Sequence, residues 1–197
     1  MPRLVLLALL PVALFCLLLT SAGPCAASGA GDAAAASTPA PPDAAAPADP
    51  RAERAFSRFA AQLPPGWDGE ERSGFSSGDR EEYMLVLGVQ DAAAERFLAQ
   101  VSVFALPNTK GSSAEAFARQ MAELQGDATP PREEGRFWVF SGEPRTQALR
   151  GRATTMVTAT PERLLIIIVQ DPEGLGGAEV AASLRALTPE MRDLLGR

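Results

Sequence analysis

One stretch constrains the fold more than any other: "RLLIIIVQ", residues 163–170, in which six large apolar side chains follow one another without a break. A run this short and continuous is a strand with apolar contacts on both faces. β-branched side chains favour the extended backbone, and successive residues point to opposite sides. Such a strand belongs in the middle of a sheet that is covered above and below.

The remaining pattern supplies its neighbours. Strands are predicted over 82–89 ("EYMLVLGV") and 96–106 ("RFLAQVSVFAL"), with 91–95 short enough to make a hairpin. In the second, Leu98, Gln100, Ser102 and Phe104 alternate against Phe97, Ala99, Val101 and Val103. A short strand after Trp67 and strands over 136–140 and 148–158 bring the expected number to six, and the tight turn "ATPE" joins the last two.

Helices are expected over 50–63, with Asp49 as cap, Pro50 in the first turn and Phe56, Phe59, Ala60 and Leu63 on one face. A second follows Ser112 or Ser113, carries Phe117, Met121 and Leu124 at helical spacing, and stops at Gly126. Two more are expected over 178–187 and from Thr188-Pro189 to Leu195. Hairpin-length connections make the whole an α+β fold: a mainly antiparallel six-stranded sheet with helices packed on its faces, an α/β/α sandwich.

Nothing before residue 50 fits that sandwich. Residues 1–22 have the three parts of an export signal, with Arg3 as the positive region and an apolar stretch from Leu4 to Leu19 that is shorter than a membrane-spanning helix. Residues 23–49 form an Ala/Pro-rich segment without a large apolar side chain, which reads as a disordered tether. The single globular domain therefore occupies 50–197. The expected location is periplasmic or extracellular, with anchoring to a membrane through the N-terminus as the alternative.

Cys25 tests that alternative. Bacterial lipidation requires small residues immediately before the modified cysteine. Here Ala22, Gly23 and Pro24 precede it, and proline's fixed φ and missing N–H suit an extended peptidase substrate poorly. Cleavage after Ala22 or after Ala27 is expected instead.

The order of these elements, with "LPPGW" before the first strands, the "SSAEAFARQM" helix and the ending "LLIIIVQDP…AASLRAL", resembles the PsbP/Mog1-like (DcrB-like) domain family over about residues 50–187. That resemblance implies a shared fold used for different binding and assembly tasks, among them photosystem accessory proteins, a Ran-binding protein, bacterial envelope proteins and secretion chaperones. It brings no catalytic residues with it, and the lack of long inserted loops departs from the photosystem type.

Composition narrows the chemistry. The chain contains no histidine and two cysteines, Cys16 and Cys25, both before residue 50, so Ser-His triads, Cys-His dyads and the usual zinc sets cannot be assembled in the domain. A formal charge of −6, more negative still once Arg3 leaves, disfavours nucleic acid and anionic membrane as partners. The acid pairs Glu70-Glu71, Glu81-Glu82 and Glu133-Glu134 point to opposite faces of a strand and read as solvated charges. "DPEGLGG" matches no phosphate-binding spacing. No catalytic, cofactor or metal residues are assigned.

The residues expected to contact a partner are Arg136, Trp138, Arg150 and Arg152, an arginine-aromatic group on adjacent strands. The expected function is a noncatalytic envelope binding or assembly module that contacts a protein. The alternatives are a chaperone or adaptor for an apolar client segment, and a carboxylate-dependent hydrolase. Intact-mass measurement of the exported protein is expected to show a chain beginning at Gly23 or Ser28 with no lipid on Cys25.

Overall fold

The structure, a computed structural model, describes residues 51–75, 81–91, 96–144 and 151–196. The leader, Cys25, the tether, Arg145 and Arg150 lie outside the described residues.

The apolar run 163–170 forms β10 (Arg163–Gln170), and it is central. It pairs antiparallel with β5 (Arg96–Pro107) on one side and β9 (Ala153–Ala159) on the other, so that Ile167 lies opposite both Val103 and Met156. Beyond β5 come β4 (Tyr83–Asp91) and then β3 (Asp68–Ser73). Beyond β9 comes β8 (Phe137–Pro144), whose outer side carries two short strands, β6 (Gln125–Gly126) and β7 (Arg132–Glu134). Among the described residues the sheet thus has eight strands where six were expected. The two additional ones are short main-chain pairings within 125–134, a segment with no apolar alternation from which to read a strand.

Alternation along β10 separates two cores. Leu165 and Ile167 meet Leu85, Leu87, Val101 and Val103, while Ile166 and Ile168 meet Met84, Phe104, Phe140 and Val157. The second core is covered by α1 (Ala114–Glu123), through Phe117, Ala118, Met121 and Ala122. Ser113 caps this helix, its hydroxyl accepting from the Ala116 N–H. The helix ends at Glu123, before Gly126, which belongs to β6. Leu124 is exposed, so the buried positions are the small ones, Ala118 and Ala122.

The first core is covered by a three-stranded sheet and two helices, α2 (Gly177–Ser183) and α3 (Pro189–Leu195). Here the expectation of a helix over 50–63 is overturned. Within the described part of that segment, the chain makes the hairpin β1 (Ala52–Ala55) and β2 (Phe59–Leu63), turning where the Phe56 N–H donates to the Phe59 carbonyl. Phe59 and Leu63 fit helical and alternating spacing equally well. The choice is made by β2 pairing on its far side with β11 (Arg185–Ala186) and by the Gln62 N–H donating to the Ser183 hydroxyl. The helix expected over 178–187 stops at Ser183 for the same reason, since its last residues are drawn into β11.

Two loops are fixed by side chains. Asn108, buried beneath the β9–β10 turn, donates to the carbonyls of Thr160 and Ser112 and accepts from the Ser112 N–H. The Asp171 carboxylate accepts the N–H groups of Leu175, Gly176 and Gly177, while the indole of Trp67 donates to the Leu175 carbonyl. The chain's own carboxylate therefore fills the glycine-rich loop. Asp171→Ala is expected to lower stability by about 1–3 kcal/mol, read from urea denaturation, by leaving these donors without their acceptor.

Candidate functional site

The residues expected to form a contact surface do not converge. Arg136 precedes β8, and its guanidinium donates to the carbonyls of Asp193 and Leu194 at the end of α3. Gly196, at φ 74°, leaves the room this guanidinium occupies, since a Cβ there would overlap it. Arg152 precedes β9 and donates to the carbonyls of Asp127 and Ser141. Because Trp138 pairs with Val157 and Gly142 with Ala153, the two arginines lie at opposite ends of the strand pair, about 20 Å apart at ~3.3 Å per residue. Trp138 is half-buried against the second core beside Val157 and Phe140. Arg150 lies outside the described residues.

A different constellation does converge, at the corner where the β1–β2 turn lies over β3. Register places Glu71 of β3 opposite Leu85 and Ser73 opposite Tyr83, so Glu71 and Tyr83 share the face covered by the hairpin. One oxygen of Glu71 accepts three hydrogen bonds: from the Tyr83 hydroxyl at 2.8 Å, the Ser57 N–H at 2.8 Å and the Ser57 hydroxyl at 2.9 Å. The Tyr83 ring is fully buried against Phe59, with the Arg58 guanidinium 5.2 Å above it. Gly69, two residues earlier on the same face, has no side chain because the Phe56 ring fills that space: an added Cβ would come within 2.5 Å of it.

The corner continues into charge pairs. Arg58 and Arg163 both donate to the Glu81 carbonyl, and Arg163 also meets the Glu81 carboxylate at 3.2 Å. The Leu187 N–H donates to the Arg58 carbonyl, bringing in the chain just ahead of α3. Glu190, in the first turn of that helix, is held below the usual carboxylate range by its own backbone N–H, with Arg163 and Arg58 adding to the effect. Sequence reasoning missed this corner. Its one available signal is Tyr83, the only tyrosine in the chain, at the start of an apolar strand where a buried hydroxyl needs a partner.

Its chemistry favours fixed protonation states over proton transfer. Partial burial pushes the Glu71 carboxyl up, but the Ser57 N–H, the Tyr83 and Ser57 hydroxyls and the nearby Arg58 charge outweigh it and hold the group below its ordinary value. Burial, followed by the bond to the Glu71 carboxylate, raises the Tyr83 hydroxyl well above the ordinary tyrosine range. Glu71 thus stays ionised and Tyr83 protonated. Among the described residues, no group of three or more acidic, cysteine or histidine side chains is placed to hold a metal, and no helix is long and apolar enough to cross a membrane.

The third feature is the sheet's open side. Among the described residues β3 pairs with β4 alone, in unbroken register from Asp68 to Ser73. The Gly74 N–H donates to the Glu82 carbonyl, and counting back in twos along the ladder makes residues 72, 70 and 68 the ones bonded to β4. Gly69, Glu71 and Ser73 therefore turn their main-chain groups outward.

No protein-family model and no curated protein sequence matches the chain. A solved structure does. The chain is similar to cyanobacterial PsbP (CyanoP) from Synechocystis sp. PCC 6803, known from a solution structure. They share 15% identity over 72% of this chain and 95% of that chain, with a TM-score of 0.38.

The Glu71 carboxyl is lower in the folded protein than in the unfolded chain. Its contribution to stability is therefore complete above the ordinary carboxylate range and is lost as pH falls through its lowered folded value. Glu71→Gln is expected to reduce the melting temperature at neutral pH, with the difference from wild type closing as the pH drops through that interval.

Proposed function

We propose that the chain is a noncatalytic binding or assembly module, exported to the cell envelope, that contacts a protein partner there. The observation that supports this reading most directly is the unequal treatment of the sheet's two edges. Beyond β8 the main chain is broken into strands of two and three residues, with Pro130, Pro131 and the left-handed Asp127 between them. Beyond β4 stands β3, six residues long, free of proline and lysine, and without a bulge in its pairing. Sheet edges are normally blunted by short strands, prolines, bulges or charged side chains, because an unpaired regular edge takes up another strand. One edge of this sheet is blunted by short strands and prolines, while the other keeps a regular main chain and carries charged side chains alone.

The face chemistry points the same way. The first face is occupied by the β1–β2 hairpin, α2 and α3, and the second by α1, which gives little support to a client segment lying flat on the sheet. The acid most closely surrounded by hydroxyl groups, Glu71, is held ionised by three donors, which suits it to fastening the hairpin and not to general acid catalysis. Arg136 and Arg152 are engaged by main-chain carbonyls at separate places, so the contact surface in this reading moves from β8 and β9 to β3.

Cross-linked affinity purification from envelope extract is expected to recover one protein in stoichiometric amount. Recovery of the chain alone would overturn the reading.

A further inference from the structure

We propose that Asp68 and Arg54 form a latch that closes the outer edge of β3 to a second copy of this chain. The proposal rests on the binding-module reading, which places the contact at β3, and adds what keeps that edge from being taken up by the chain itself.

The latch starts at a glycine. Gly69 turns its main-chain groups outward, and its N–H donates at 2.6 Å to an oxygen of the Asp68 carboxylate, so this carboxylate lies along the edge. The Arg54 guanidinium, reaching across from β1, pairs with the same oxygen. Arg54 is itself placed by Phe56, its guanidinium carbon standing 5.9 Å from the centre of that ring. The ring in turn occupies the notch that Gly69 leaves by having no side chain. Gly69, Phe56, Arg54 and Asp68 thus form a closed circuit of contacts that returns to the Gly69 N–H.

A second copy is the occupant this latch excludes, because the edge is complementary to itself in one register. Two antiparallel copies of one edge are related by a two-fold axis, and outward groups meet outward groups only when one residue faces its own copy. Centring on Glu71 is the one arrangement that uses the outward groups of Gly69, Glu71 and Ser73 in both copies. It sets Gly69 against Ser73 and Glu70 against Arg72, each pairing occurring twice. Opposite charges directly across two strands attract. Glu71 faces its own copy, but each carboxylate is already held by Ser57 and Tyr83 of its own chain, with Arg58 above the tyrosine ring.

The latch blocks this register at both ends. The Ser73 carbonyl of an incoming copy has to accept the Gly69 N–H that the Asp68 carboxylate holds. Two acceptors then compete for one proton, and the two-fold axis repeats the conflict. Asp68 and Arg54 are both largely exposed, and an exposed pair of this kind contributes little to folding. Its effect falls instead on pairing, where it counts twice.

The test is sedimentation equilibrium of the full chain and its variants over a range of concentrations, with amide exchange at the highest. Asp68→Ala frees the Gly69 N–H and is expected to tighten self-association about tenfold or more over wild type, with slowed exchange at Gly69, Glu71 and Ser73. Arg54→Ala loosens the carboxylate without removing it and is expected to fall between the two. Adding Ser73→Pro to Asp68→Ala removes an outward donor without touching the ladder to β4 and is expected to restore the wild-type behaviour. Unchanged amide spectra beyond β1 and β3 show that the fold is retained; should Asp68→Ala unfold, Arg54→Ala decides alone. Wild type that associates as tightly as the latch variants, variants no tighter than wild type at any concentration, protection away from β3, or association indifferent to Ser73→Pro overturns the proposal. If the latch variants behave like wild type while the envelope extract still yields a partner, the binding-module reading stands and the latch falls. If the extract yields none, that reading falls whatever the variants do.

Discussion

The structure depends on β10 being paired on both sides. A strand whose neighbours are β5 and β9 is paired on both sides from Leu164 to Val169, and its two faces are left to apolar contact. Leu165 and Ile167 create the need for the hairpin, α2 and α3, while Ile166 and Ile168 create the need for α1. Each buried side chain of this kind contributes roughly 1.5–3 kcal/mol relative to exposure. A polar substitution in the middle of the run would remove support from one layer and strand the covering elements above it.

Much of this is legible in the sequence because the signals are redundant. β4, β5 and β10 combine β-branched residues, alternation and short connections, and α1 has a capping serine at its start. The segment 50–63 lacks such redundancy. Phe56, Phe59 and Leu63 satisfy two periods at once, and the deciding contacts, Ala60 with Arg185 and Gln62 with Ser183, lie more than a hundred residues away along the chain. β6 and β7 were illegible for a different reason: they are main-chain pairings that ask nothing of their side chains.

The candidate site was less legible than the fold. Glu70 and Glu71 are chemically identical neighbours, yet one faces solvent beside Arg72 and the other reaches a buried tyrosine and the backbone of Ser57. Only the register of β3 against β4 separates them, and register is not written in a pair of glutamates. The separation of Arg136 from Arg152 was hidden for the converse reason. Arg136 and Arg152 have no apolar pattern to place them, and their destinations are carbonyls of α3 and of Asp127 and Ser141, which no composition rule foresees.

The three-stranded sheet has a consequence for how the domain opens. Its strands come from the two ends of the domain: β1 and β2 from the first described residues, β11 from just before α3. The two-residue β11 forms the ladder that joins them, with the Ser183 hydroxyl, the Leu187 N–H and the Arg185–Glu53 pair beside it, whereas the eight-stranded sheet is built largely from strands close in sequence. Bringing such distant segments together carries a large loop-closure cost and a ladder of only two residues to offset it. The small sheet is therefore the natural unit of partial unfolding. Its release would uncover Tyr83 and free Glu71 while leaving β10 and its neighbours intact, coupling the order of the chain's first strands to the rigidity of the outermost one.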